Sequence, residues 1–249
     1  MKGDLSPFKR AKPATNQYLK GSAMRYKAVL FDVDDTLLDF QTGNRNAVNQ
    51  LMDELGYHDL DRYDQYEAIN LKCWRELEAG LLTQNQLKLA RFVRFFDCYP
   101  VPGDPKWAAE RFITLLGQQS ILLPNALETV ARIVERLPVA IVTNGITDIQ
   151  RSRLALSPLK DYVAAVVISE EVGVSKPRPG IFEITLDRLD VKAGEALMVG
   201  DGVNSDIRGA NNALIDACWV NPEGKTLPEG VHAEYEIADI RQCVDIALG

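Results

Sequence analysis

The sequence predicts an α/β protein: a parallel sheet covered by helices on both faces, with an all-α module inserted after its first strand. Two observations support this class. Short apolar runs alternate with helical patterns from about residue 121 onward, and such alternation requires crossover connections between parallel strands. Between residues 41 and 118, by contrast, helical patterns follow one another without an apolar run typical of a strand.

The first strand is predicted in the run YKAVLFDV at residues 26–33, which is short, apolar and closed by polar residues. Four helices are predicted in the inserted module. The third of them begins with a capping box, in which Thr83 is the N-cap and Gln86 the N3 residue. The fourth begins with Asp104 as N-cap and Pro105 at N1.

The later strands are predicted at residues 139–144, 163–169, 195–201 and 216–220. Their near-continuous apolar character is typical of strands buried on both faces. The core is therefore assigned to residues 24–40 and 119–249, and the helical module to residues 41–118. Residues 1–23 hold five basic residues and one acid without an apolar segment. This predicts a disordered leader and argues against a secretory signal.

Composition and charge exclude several classes of protein. The chain has 46% hydrophobic and 25% charged residues, as globular proteins do. Its net charge of −7 argues against a nucleic-acid polymer as partner, because phosphate backbones require a basic surface. No apolar run approaches the length of a membrane span. The four cysteines form no CxxC pair, which predicts reduced thiols and a cytoplasmic location, and the two histidines lie in no motif.

Aspartates follow two of the predicted strands. Asp32 and Asp34 lie two residues apart, so both point to one side of an extended chain, and Asp201 ends another apolar run. Since ligands bind at the carboxyl ends of parallel strands, we expect the three to converge. Such an oxygen-rich site suits Mg²⁺. Helix capping is the alternative role, but it does not explain two aspartate-rich strand ends in one sheet.

Other polar residues at predicted strand ends suit an anion. Thr143, Asn144 and Gly145 end a strand at a turn and offer a hydroxyl and backbone N–H groups. Lys176 lies in GVSKPRPG, where Pro177 restricts it to an extended conformation and so holds its ammonium in place. The alternatives are a plain turn and a solvated loop lysine.

The stretch GDGVNSDIRGA (200–210) places Asp206 five residues after Asp201, and Ser205 is predicted to cap the next helix. Its glycines suggest a dinucleotide loop. The pattern G-x-G-x-x-G is not matched, however, and the aspartates would repel a pyrophosphate.

The motifs DVDDT, TNG, SKP and GDGVNSD, in this order on successive strand ends, resemble the haloacid dehalogenase superfamily of phosphotransferases. The resemblance covers essentially the whole chain after residue 24. It implies a Rossmann-like three-layer core with a helical cap inserted after the first strand. Asp35 departs from the commonest motif, which has glycine before the threonine. An acidic residue at this position and the stretch VISEEVGVSKP (167–177) resemble one branch of the superfamily, the pyrimidine nucleotide 5′-nucleotidases. These enzymes act on UMP, dUMP and dTMP.

The resemblance also implies catalytic roles. Asp32 would attack phosphorus and form an aspartyl-phosphate. Asp34 would protonate the leaving alkoxide and then activate water. Mg²⁺ would be held by Asp32, the backbone carbonyl of Asp34, and Asp201. Asp206 would act behind these ligands, through water.

The same resemblance implies that three residues hold the phosphoryl oxygens: Thr143, the backbone of Asn144, and Lys176. Lys176 would in addition neutralise the charge of Asp32. Positioning and charge stabilisation are what phosphoryl transfer requires of a protein.

The function inferred is that of a Mg²⁺-dependent phosphatase acting on a small phosphomonoester, most specifically a pyrimidine nucleoside 5′-monophosphate, as a monomer or small homo-oligomer. A sugar-phosphate or phosphoglycolate-type phosphatase and a phosphomutase are alternatives. Asp34 and Asp201 argue against a dehalogenase, which needs neither. A signalling receiver is the remote alternative: its phosphorylated aspartate lies on a later strand than its acidic pair, and it lacks a helical module of this size.

The aromatic stretch FVRFFDCYP (92–100) has two interpretations. The rings stack on a substrate base, or they pack inside the helical module, which we favour. Arg91 and Arg94 are expected to face solvent rather than an anionic substrate.

Overall fold

The structure is a computed structural model that describes residues 24–249. The predicted leader, residues 1–23, lies outside the described residues. Six strands form one sheet: β1 Ala28–Phe31, β2 Val139–Thr143, β3 Ala165–Ile168, β4 Ala196–Gly200, β5 Asp216–Val220 and β6 Tyr235–Ile237. Their order is β3-β2-β1-β4-β5-β6, and every neighbouring pair is parallel. The predicted parallel α/β class is confirmed.

Helices connect the strands. They are α1 Phe40–Glu54, α2 Arg62–Glu78, α3 Gln84–Cys98, α4 Pro105–Gly117, α5 Ala126–Val134, α6 Thr147–Leu156, α7 Ser169–Val172, α8 Pro179–Leu189, α9 Arg208–Asn212 and α10 Gln242–Leu248. The four helices predicted in the inserted module are confirmed as α1 to α4. Among the residues that the structure describes, no helix is long and apolar enough to cross a membrane.

The sheet is buried on both faces. Every residue of β1, β2 and β4 is buried, as expected of central parallel strands. Alternate strand residues such as Leu30 and Met198 pack with Phe182 of α8 and Ala210 of α9. On β2 lies α5, against which α10 packs. The middle layer is therefore the sheet, as a three-layer core requires.

The described chain divides into two compact units. One runs to Asp39 and includes Leu122–Gly145 and Ser157–Gly249. The other, which we call the helical unit, comprises Phe40–Ile121 and Ile146–Leu156. It thus includes α6, whose Arg153 donates from Nε to the Gln119 carbonyl at 2.8 Å. The domain boundaries drawn from sequence at 40/41 and 118/119 stay a prediction.

The two helix starts predicted within the inserted module are confirmed. The Thr83 hydroxyl accepts a hydrogen bond from the Gln86 backbone N–H, and the Gln86 side chain bonds the Thr83 N–H in return, so the capping box is complete. The Asp104 carboxylate accepts from the Lys106 N–H at 3.0 Å, with Pro105 at the first helical position.

An aromatic cluster fills the core of the helical unit. Phe92 and Phe95 of α3 are fully buried. Their ring centroids lie 5.3 and 5.9 Å from that of Tyr66, and Phe92 lies 5.4 Å from Phe112. For these two rings the favoured interpretation, packing inside the module, is confirmed.

The expectation that Arg91 faces solvent is wrong. Its side chain is 2% exposed, its Nη1 donates to Asn70 Oδ1 at 3.2 Å, and its guanidinium lies 4.6 Å from the Phe112 centroid. Arg91 stands four residues after Leu87 and four before Phe95, both buried, so helical periodicity turns it inward. Arg94 is partly exposed and pairs with a carboxylate of α2 at 2.7 Å.

Three elements were not predicted: the four-residue helix α7, whose first residue Ser169 was expected to end the preceding strand, and β6 and α10. β6 has three residues with Glu236 at its centre, and α10 has seven. Neither carries a long apolar pattern. β6 is fixed by its pairing with β5, in which Cys218 is opposite Tyr235, and such pairing is a tertiary contact.

A tight turn follows β1. The Asp35 N–H donates to the Leu38 carbonyl at 2.8 Å, and Asp35 has a φ of 59°. Glycine adopts this left-handed region freely, whereas aspartate and asparagine tolerate it better than other side chains do. The backbone thus explains why either glycine or aspartate suits this position.

We expect Phe92→Ala to lower the free energy of unfolding by about 3–5 kcal/mol, because a buried ring is removed and a cavity remains. Urea denaturation followed by circular dichroism measures this. The control is Val93→Ala at the next, exposed position of α3, for which we expect a change within about 0.5 kcal/mol. Equally small effects for both variants would contradict the assignment of Phe92 to the core.

The positive φ of Asp35 predicts how the stabilities of three substitutions at this position rank. Asp35→Val should lower the free energy of unfolding by about 1–3 kcal/mol, since a β-branched side chain strains at positive φ. Asp35→Gly and Asp35→Asn should change it by less than about 1 kcal/mol. Thermal and urea unfolding of the three variants test the ranking, and equal stability of the valine and asparagine variants would refute it.

Candidate active site

The candidate residues gather at the carboxyl edge of the sheet. Asp32 directly follows β1, and its N–H continues the ladder to the Val199 carbonyl at 3.0 Å. Thr143 is the last residue of β2, and Asp201 directly follows β4. Because these strands are neighbours and parallel, their ends meet at one place.

Lys176 joins these strand ends through its ammonium. Nζ lies 2.5 Å from Asp32 Oδ1 and 2.7 Å from Asp206 Oδ1, and it donates to the Val142 carbonyl at 2.8 Å. An ammonium has three hydrogens, so these three acceptors satisfy it. Burial by itself lowers the pKa of a lysine, but the charges of Asp206 and Asp32 outweigh burial and raise the pKa of Lys176 above its usual value.

Asp206 folds back onto the loop that precedes it. The Gly202 N–H donates to Oδ2 at 2.9 Å and the Ser205 hydroxyl to Oδ1 at 3.1 Å. A Cβ on Gly200 would lie 2.7 Å from the Asp206 carboxyl carbon, and one on Gly202 would also collide with this side chain. Because glycine has no Cβ, these two positions leave room for the Asp206 carboxylate.

The prediction that Ser205 caps the next helix is wrong. Ser205 lies inside a π-helical turn, Val203–Ile207, that leads directly into α9. With the chain already helical at this point, its hydroxyl is turned to Asp206 instead.

Asp201 is anchored by two residues to which the sequence assigned no role. Thr36 Oγ1 accepts from the Asp201 N–H and donates to Asp201 Oδ1, both at 3.1 Å. The Trp219 indole N–H donates to the Asp201 carbonyl at 3.0 Å. Thr36 belongs to the motif DVDDT, and this position is a sequence signal for its role. Trp219 lies in an ordinary apolar strand, and no pattern singles it out.

Side-chain hydrogen bonds stabilise the TNG turn, Thr143 to Gly145. Thr143 is 1% exposed, and its hydroxyl accepts from the Gly145 N–H at 3.1 Å. The Asn144 carboxamide forms two hydrogen bonds with the main chain of Lys176. The turn and the lysine loop are therefore joined directly.

Three carboxylates converge here: one oxygen from each of Asp32, Asp201 and Asp206 lies within 4.8 Å of the others. Burial raises the pKa of Asp32 well above its usual range; the Lys176 charge opposes the rise, and the neighbouring carboxylates add to it. Burial, with repulsion from Asp206 and Asp35, raises the pKa of Asp201 to about 7. Burial and mutual repulsion thus make it unfavourable to ionise Asp32 and Asp201, even though Lys176 contacts Asp32.

This donor set fits a divalent cation. Hard oxygen ligands in a partly exposed cluster of excess negative charge are what Mg²⁺ takes. Within residues 24–249, Asp201 contacts the Thr36 hydroxyl and no ammonium, whereas Asp206 engages Lys176, Ser205 and Gly202. These contacts favour Asp201 over Asp206 as a direct ligand. Asp34 lies two residues after Asp32, at the start of the tight turn, where it forms a β-bridge with Leu38.

Known proteins are similar to this chain in sequence and in fold. A family model described as haloacid dehalogenase-like hydrolase matches residues 26–213. The chain is 36% identical to the pyrimidine 5′-nucleotidase PynA of Streptococcus pneumoniae over 89% of its own length and 96% of that protein. It is 30% identical to the pyrimidine 5′-nucleotidase YjjG of Escherichia coli, over 88% and 96%.

Among solved structures, the HAD-hydrolase YfnB of Bacillus subtilis, crystallised with bound magnesium, aligns with a TM-score of 0.83. It is 30% identical, and the alignment covers 90% of this chain and 99% of that one. A 2-haloacid dehalogenase from Pseudomonas syringae aligns with a TM-score of 0.66 at 26% identity, over 89% and 97%. The chain belongs to the haloacid dehalogenase-like hydrolases.

Proposed function

We propose that this hydrolase is a Mg²⁺-dependent phosphatase that works through an aspartyl-phosphate and acts on pyrimidine nucleoside 5′-monophosphates. One observation carries the chemistry: the buried Asp32 lies in a cluster of three carboxylates with Lys176 in contact, at the carboxyl ends of parallel strands. The substrate class rests on the likeness to PynA and YjjG, both pyrimidine 5′-nucleotidases.

In the proposed reaction a carboxylate oxygen of Asp32 attacks phosphorus, and the bond to the alkoxide leaving group breaks. Asp34 gives its proton to that alkoxide. In the second half, Asp34 takes a proton from water, the water oxygen bonds to phosphorus, and the bond between phosphorus and Asp32 breaks. Phosphate leaves, and both aspartates regain their starting states.

The surrounding residues hold the phosphoryl group. The Thr143 hydroxyl and the Asn144 backbone N–H are assigned to its oxygens, and Lys176 compensates the charge of Asp32. Mg²⁺ would be held by Asp32, the Asp34 carbonyl and Asp201, with Asp206 supporting them, and it supplies charge stabilisation for the phosphoryl oxygens.

Two further observations bear on this proposal. The YfnB crystal structure contains magnesium, which supports Mg²⁺ as the metal for a chain this similar. The four cysteines are free, three of them buried, which supports the reducing, cytoplasmic setting that their pattern predicts.

We expect phosphate release from UMP, dUMP and dTMP to exceed release from purine nucleotides, glucose 6-phosphate and phosphoglycolate, and to stop in EDTA. A colorimetric phosphate assay over this panel, with and without Mg²⁺, measures the preference. Equal or better turnover of the sugar phosphate or phosphoglycolate would reject the nucleotidase assignment. Phosphate retained at a new position would identify a mutase, and halide released from 2-haloacids a dehalogenase.

Asp32→Asn tests the mechanism. Loss of the nucleophile should lower kcat on the order of 10⁴-fold or more. The control is Asp187→Asn, which removes one charge from an exposed position of α8 and should leave kcat unchanged. Activity that survives Asp32→Asn would exclude the aspartyl-phosphate.

The acidic cluster predicts how stability depends on pH and metal. Since the folded-state pKa of Asp201 is raised to about 7, its contribution to stability is present at low pH and is lost as pH rises through 7. Mg²⁺ competes with that proton, so the Tm difference between Mg²⁺ and EDTA should grow from about pH 5.5 to pH 8. At a free Mg²⁺ concentration about 100 times its Kd, binding raises the free energy of unfolding by about 2.7 kcal/mol.

Differential scanning fluorimetry in matched buffers provides the measurement. Asp201→Asn should abolish most of the Mg²⁺-induced rise in Tm, whereas Asp187→Asn should keep it. A rise that is as large at low as at high pH would contradict the role given to Asp201.

A further inference from the structure

The side chain of Asn144 holds both main-chain polar groups of Lys176. Asn144 Oδ1 accepts from the Lys176 backbone N–H at 2.8 Å, and Nδ2 donates to the Lys176 carbonyl at 2.9 Å. The two residues are 32 positions apart in the chain. A carboxamide has one acceptor and one donor side, so it fits this pair of groups as a carboxylate or hydroxyl does not.

Holding the main chain of Lys176 matters because its ammonium must reach three acceptors at once. Nζ contacts Asp32, Asp206 and the Val142 carbonyl at 2.5 to 2.8 Å. A lysine side chain has four rotatable bonds and is flexible by itself. Fixing the backbone from which it extends reduces the positions that Nζ can take, and Val142 lies two residues before Asn144. The end of β2 thus holds Lys176 at two places: Val142 accepts from its ammonium, and Asn144 bonds its main chain.

We propose that the Asn144 side chain is a positioning residue that sets the Lys176 ammonium between Asp32 and Asp206. This rests on the proposed phosphatase function, in which Lys176 compensates the charge of the nucleophile. It differs from the role of the Asn144 backbone N–H, because both polar atoms of the side chain engage the lysine loop. The Asn144 side chain therefore acts through Lys176 and not on the substrate.

A double-mutant cycle tests whether Asn144 acts through Lys176. Asn144→Ala should lower kcat/KM about 100-fold, as displacement of a reacting group by about 1 Å does. Asn144→Asp, which keeps the size but places an oxygen against the Lys176 carbonyl, should also lower it. In a Lys176→Met background, Asn144→Ala should change the residual kcat/KM by less than about 3-fold. Additive losses would overturn the proposal.

The matched control is Asn212→Ala. Asn212 donates from Nδ2 to the Pro177 carbonyl at 3.0 Å, so it anchors the same loop one residue further on without contacting Lys176. We expect kcat/KM to stay unchanged in this variant. A loss equal to that of Asn144→Ala would mean that any anchor of the loop suffices, which would overturn the specific role.

A second readout does not depend on activity. In protein labelled with ¹⁵N at lysine Nζ, the buried Lys176 ammonium should give a protected NMR signal, assigned by its loss in Lys176→Arg. Asn144→Ala should shift this signal and speed its hydrogen exchange by at least about 10-fold, because the ammonium loses its fixed position. An unchanged signal overturns the positioning role even if no phosphate release is found, whereas inactivity of the wild type rejects only the proposed function.

Discussion

The ion pairs of Lys176 are the interaction on which this site depends. Several aspartates end neighbouring strands at one edge of a buried sheet, where like charges repel strongly. Lys176 lies between Asp32 and Asp206 and offsets part of that charge. Much of the local structure serves this contact: Gly200 leaves space for the Asp206 carboxylate, and Asn144 fixes the lysine main chain.

Asp201 is held by a different principle. Neutral donors, the Thr36 hydroxyl and the Trp219 indole, fix its carboxylate and backbone without an opposite charge. The negative charge of this carboxylate is therefore poorly compensated, and burial, with repulsion from Asp206, raises its pKa. Under the proposed function, Lys176 offsets charge on Asp32 and Asp206, and a divalent cation would offset charge on Asp201 and share Asp32 with the lysine.

The helical unit illustrates why some expectations from sequence succeed and others fail. Phe92 and Phe95 were assigned to its core because apolar rings at helical spacing gain most from burial. Arg91 lies on the same face but was assigned to solvent on charge alone. Its burial is possible because Asn70 accepts a hydrogen bond and Phe112 offers a ring face. Those partners come from other helices, so no local pattern contains them.

The sequence by itself determined the alternation of strands and helices, the inserted helical segment, and the residues that belong at strand ends, because burial period and capping chemistry are local properties of the chain. Tertiary structure alone decided β6, the turn of Ser205 to Asp206, and the anchoring of Asp201 by Trp219. Each depends on a hydrogen bond or strand pair between segments distant in sequence or on backbone geometry. The β6 pairing and the Trp219 contact exist only once the sheet has brought distant segments together, whereas the Ser205 contact depends on the π-helical turn that contains both residues.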